Sequence, residues 1–155
     1  MMELTDISKV FIYNEKNSAR GCGHTGFVFF YKDGSGERIF QSATNPDAVA
    51  WKLILLNQPV HVEVVRYPYI KYIRQAIGKA NYFEIKSADI VTIRERINEY
   101  IRKDSPYNSL TNNCAHFIHF ALSKTSDVKS KKKIVPNKYY TVLKSLNHQK
   151  KKTKY

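Results

Sequence analysis

Short apolar runs alternate with polar loops through the first 67 residues, and apolar stripes at helical spacing follow. Lys9 to Tyr13 reads as a first strand, and Asn14 to Arg20 as a polar loop. Phe27 to Tyr31 is apolar on both faces, the pattern of a central strand. Lys32-Asp33-Gly34-Ser35-Gly36 carries a hairpin turn signal, and Glu37 to Ala43 returns as the next strand. Asn45-Pro46 offers a cap followed by proline at the first helical position, and Val49, Leu53 and Leu56 continue a helix that Pro59 stops. Val60 to Tyr67 alternates Val62 and Val64 against His61 and Glu63, as a half-buried strand does. After Ser87, the stripe Ile90, Ile93, Ile97, Ile101 predicts a helix ended at Asp104-Ser105-Pro106. A third helix starts at Cys114, and Val135-Pro136-Asn137 introduces an amphipathic stretch through Leu143 and Leu146. The pattern predicts an α+β fold: a small antiparallel sheet of four to six strands with the Cys114 helix packed against it.

The chain has 155 residues, 43% of them hydrophobic, enough for one domain with a proper core. The expected division is a single domain over 1–146 and a basic, disordered tail over 147–155. No apolar run reaches the roughly 20 residues of a membrane span. The first residues lack a basic n-region and an apolar h-region, so a cytoplasmic location, or export without a classical leader, is expected. Two cysteines are too few for a disulfide framework. The net charge of +13 is uneven: residues 1–123 carry 15 Lys/Arg against 12 Asp/Glu, whereas residues 124–155 carry 11 Lys against Asp127 alone. That lysine-rich end suits anionic cell-wall polymer or an anionic membrane surface, or serves as a solvated terminus. Lysine runs without arginine or interleaved aromatics do not point to nucleic acid.

Two segments carry chemistry, Gly23-His24-Thr25-Gly26 at the entry to an apolar strand and Thr111-Asn112-Asn113-Cys114 at a helix start. Capping residues ahead of Cys114 place its sulfur in the first turn, where free N–H groups and the helix dipole favour a thiolate and later an oxyanion. His24 supplies an imidazole that takes the thiol proton. The bland alternative makes Cys114 a small buried hydrophobe and His24 a structural residue. Cys22 and His24 with Cys114 would give three zinc ligands but lack a fourth, so neither metal nor cofactor is expected. His116 lies about 200° around the helix from Cys114 and faces away from it.

The order His24 then Cys114, with Tyr107-Asn108-Ser109-Leu110-Thr111-Asn112-Asn113-Cys114 and the later Val135-Pro136-Asn137, resembles the circularly permuted branch of papain-like cysteine hydrolases. That branch includes NlpC-type cell-wall amidases and lecithin:retinol acyltransferase-like enzymes. The chain is more similar still to permuted domains of Rhs-type and other polymorphic toxins. The resemblance implies a permuted papain-like fold, Cys114 as nucleophile, His24 as general base and a third polar group on the following strand. Ser42 matches that position, and Gln41, on the opposite face by alternation, has the better reach. The Cys114 N–H, with Asn113 as a further candidate, would hold the oxyanion. The implied reaction is hydrolysis of an amide in a peptidoglycan peptide or a protein, by an effector whose producer would carry an immunity protein. Acyl transfer or lipid hydrolysis at membranes, and a non-enzymatic basic binding module, are the alternatives.

Overall fold

A computed structural model describes residues 6–16, 24–43, 60–103, 113–131, 133 and 135–152. The expected helix beginning at Asn45 lies outside the described residues. The fold is α+β, with a five-stranded antiparallel sheet in the order β4-β3-β2-β1-β5 and four described helices. The strands are β1 (Ile7–Glu15), β2 (His24–Tyr31), β3 (Gly36–Ala43), β4 (Val60–Tyr67) and β5 (Asn81–Ile85). The helices are α1 (Ile70–Ile77), α2 (Ile90–Lys103), α3 (Cys114–Leu122) and α4 (Pro136–Lys152).

Alternation along β2 sorts the two layers. Phe27, Phe29 and Tyr31 join Ile12 and Ile39 in the main core, against Ile93 and Ile97 of α2, Phe117 and Ile118 of α3, and Tyr139 and Leu143 of α4. Val28 points the other way, into a smaller cluster with Tyr13 and Ile73 of α1. The Cys114 helix, α3, packs on the sheet through Phe117, whose ring meets Phe27 edge-on at 5.7 Å. The β2–β3 turn needs one left-handed residue, and Gly34 takes it with φ 88°.

Two polar contacts hold α2 over β3. Buried Glu37 accepts from Tyr31 and pairs with Arg94 Nε at 3.5 Å, while Gln41 Nε2 donates to Tyr100 Oη at 2.6 Å. At the far end, α4 runs to Lys152, past Leu146 where the sequence pattern ends the packed body. Asn147 explains the continuation, since its amide bonds to both backbone groups of Lys129.

Candidate functional site

The β1–β2 ladder runs to Glu15↔His24 and the β3–β4 ladder to Ala43↔Val60, but the β2–β3 ladder ends at Phe27↔Ile39. Strands β2 and β3 therefore part ahead of Phe27. Cys114 lies beside this gap, where the backbone N–H groups of Thr25 and of its own helix start, Cys114 and Ala115, pull its thiol toward the charged form. The Thr25 hydroxyl turns to the Tyr13 carbonyl at 2.8 Å. The thiol is thus influenced from Thr25, the residue that follows His24 on β2.

The start of α3 is built by reciprocal capping. Asn113 Oδ1 accepts from the N–H groups of Ala115 at 2.9 Å and His116 at 3.3 Å, and the Asn113 N–H donates to His116 Nδ1 at 3.1 Å. His116 is occupied as a cap, and the Asn113 carbonyl is directed along the helix. This arrangement fixes where the sulfur stands, and it uses the Asn113 side-chain oxygen, an acceptor that could not serve an oxyanion in any case.

Burial decides the thiol's state. Cys114 is 3% exposed, and desolvation pushes its pKa up to about 11 against the opposing pull of the three N–H groups. The expectation that the helix start favours thiolate gives way here, because the cost of burying charge exceeds the help from these dipoles. At neutral pH the resting group is a thiol.

His24 begins β2 on the layer opposite α3. Its ring meets Phe40 edge-on at 5.8 Å, and its strand partner is Glu15. Burial lowers its pKa, with Glu15 opposing and Arg38 adding to the shift, so the imidazole is neutral at pH 7. Glu15 pairs with Arg38 at 3.1 Å, and Arg38 Nε donates to Tyr13 Oη at 3.0 Å. Among the described residues, no hydrogen bond joins the His24 ring to the Cys114 sulfur. The structure brings the two residues to one gap but from opposite layers.

Gln41 is buried on the α2 side, its amide nitrogen held by Tyr100 and its Oε1 without a partner. It is not placed against the His24 ring. Ser42 follows on β3 opposite His61, and its side chain lies outside the described part, as does Cys22 entirely. Among the described residues, no group of three or more His, Cys, Asp or Glu is arranged to hold a metal.

Comparison with known proteins leaves the site to stand on its own chemistry. No family model, curated protein or solved structure matches this chain. Nor does any described helix have the length and apolar character to cross a membrane.

Glu15 is the residue that reading the sequence misses. The strand after His24 offers no carboxylate to the ring, whereas Glu15, on the strand before it, acts on the ring. A signal exists in hindsight of the register alone: Glu15 closes an apolar strand that pairs antiparallel with the one His24 opens.

Proposed function

We propose that the chain is a cysteine hydrolase of the permuted papain-like type, cleaving an amide bond in a peptidoglycan peptide or a protein, in the manner of a bacterial effector domain. The observation that carries this reading is the pull of the Thr25 backbone N–H on the Cys114 thiol, one residue along β2 from the neutral imidazole of His24. In the reaction, Cys114 loses its proton to His24 and attacks the acyl carbon. The oxyanion takes the Cys114 N–H at the start of α3, and His24 then protonates the departing amine. Water attacks the thioester, gives its proton to His24 and releases the acid, with the thiol restored. The ring must reach the sulfur through the opening between β2 and β3, and Glu15 stabilises the imidazolium that forms.

Turnover of muropeptides and of unstructured peptides, screened beside phospholipids, tests the proposal. Amide cleavage that is lost in both Cys114→Ala and His24→Ala, with both variants folded, supports it. Ester cleavage of phospholipids alone would replace it with the lipid-hydrolase alternative.

One observation favours a second reading. A thiol that is 3% exposed and protonated has the character of a core residue, which suits a basic binding module without catalysis. Under that reading, no substrate class turns over and Cys114→Ala changes only stability.

A further inference from the structure

A cleft of about 570 Å³ opens between the end of β1, the start of β5 and the outer side of α4. Lys16 and Lys144 stand exposed at its edge, with Asn81 and Thr141, and buried Asn14 and Tyr140 form its floor. Among the described residues, no carboxylate lines it.

The amides on the floor have their orientation set by a relay. The Lys16 carbonyl can only accept, so Asn137 turns its Nδ2 to it at 3.1 Å. Asn137 Oδ1 is then left to face Asn14, whose Nδ2 donates to it at 2.8 Å. Asn14 Oδ1 remains, buried and without a partner, in a residue only 3% exposed. The hydroxyl of Tyr140, a residue 5% exposed, also lacks a partner. Buried polar atoms left unpaired are uncommon, and Asn14 and Tyr140, which each hold one, line the same cleft.

We propose that this cleft binds a polyol carrying one anionic group, a sugar bearing a phosphate or a carboxylate. The anion lies between the Lys16 and Lys144 ammonium groups, which act as point charges and need no particular geometry. A sugar hydroxyl donates to Asn14 Oδ1 and another meets the Tyr140 hydroxyl. Amide and hydroxyl walls suit such a ligand, because each sugar hydroxyl both donates and accepts. The Tyr140 ring packs on Phe83, at 5.3 Å between centroids, and so contributes its hydroxyl while its ring stays in the core. Burial keeps that hydroxyl protonated, with its pKa pushed up to about 12. The inference does not depend on the hydrolase reading.

Titration of the full chain with glucose 6-phosphate and with glucuronate, followed by calorimetry and by the side-chain amide signals of Asn14, Asn81 and Asn137, tests it. One or both ligands are expected to bind and shift those signals, and the stronger of the two identifies the anion. The Lys16→Gln/Lys144→Gln double variant should lose affinity by about tenfold or more, as expected for charged hydrogen bonds. Tyr140→Phe, which retains the ring packing, should lose affinity by a smaller factor. Three results overturn the proposal: no shift of these amides with either ligand, inorganic phosphate binding as tightly as glucose 6-phosphate, or affinity unchanged in the double lysine variant. Uncharged glucose binding as tightly as the charged sugars would overturn the role given to the lysines.

Discussion

At the scale of single residues, the thiol and the imidazole are each held in their neutral form by burial. For Cys114 the expected consequence is slow alkylation by iodoacetamide at neutral pH, with a rate that keeps rising above pH 9, since the reactive thiolate appears only as the pH approaches about 11. A rate that levels off near an ordinary thiol value of about 8.5 would show that the helix start outweighs burial after all. For His24 the sign runs the other way. Its folded pKa lies below the usual 6.5, so on acidification the unfolded chain takes up this proton first. The fold therefore loses stability as the pH drops below 6.5, until the folded ring itself protonates, and His24→Gln should flatten that limb in denaturation measured across pH. Proton titration followed by NMR separates the neighbours: Glu15→Gln lowers the His24 pKa further and Arg38→Gln raises it, because the two groups act in opposite directions. No response to either substitution would take Glu15 out of the site.

At the scale of elements, Gly26 shows what lets the layers meet. A Cβ at this position would lie 2.7 Å from the Tyr13 ring, and Gly26 is the strand partner of Tyr13. Only a bare backbone lets Tyr13 lie across β2 and reach Arg38, so Gly26→Ala should destabilise by about 1–3 kcal/mol in urea unfolding, the usual cost of overpacking. A neutral substitution would mean the ring moves freely. The glycine is visible in the sequence, but its purpose depends on a cross-strand register that local pattern does not contain. The same limit explains Glu15, whose relation to His24 exists only through pairing. By contrast, the hairpin at Asp33-Gly34, the Val60–Tyr67 strand and the α3 start are legible, because turn chemistry, alternation and capping are local properties. Two elements escape the reading despite local signals. Ile70, Ile73 and Ile77 have helical spacing with Gly78 as a stop, and Phe83 and Ile85 alternate with Tyr82 and Glu84, yet both elements are short enough to pass as a connection. The docking of α2 supplies a contrast between buried and exposed pairs. Glu37 is fully buried, as is most of Arg94, whereas the Arg66 side chain that also meets Glu37 is 55% exposed. Glu37→Ala should cost about 3–5 kcal/mol by leaving a buried guanidinium unpaired, and Arg66→Ala less than about 1 kcal/mol. Equal costs in chemical denaturation would contradict this account of how α2 is held.

At the scale of the whole molecule, charge and packing divide the chain in different places. The charge count breaks near Ser123, with +10 after it, but the packed body continues through Val128, Tyr139, Tyr140 and Leu143 to the Asn147 contact with Lys129. The lysines at 129, 131, 133, 138 and 144 are thus carried on or between packed elements, while Lys150, Lys151, Lys152 and Lys154 follow the last such contact. Removing residues 150–155 takes away four of the 11 lysines and none of these contacts. The shortened chain should keep its melting temperature. Its binding to vesicles of anionic lipid or to anionic cell-wall polymer should weaken at low salt, where the Debye length is about 30 Å, and the difference should shrink at physiological salt, where it is about 8 Å. Sedimentation of vesicles at the two salt concentrations, beside thermal unfolding of both chains, measures this directly. A fall in melting temperature would show that the last turn of α4 belongs to the packed body, and equal vesicle binding at low salt would move the electrostatic surface to the lysines held between α3 and α4.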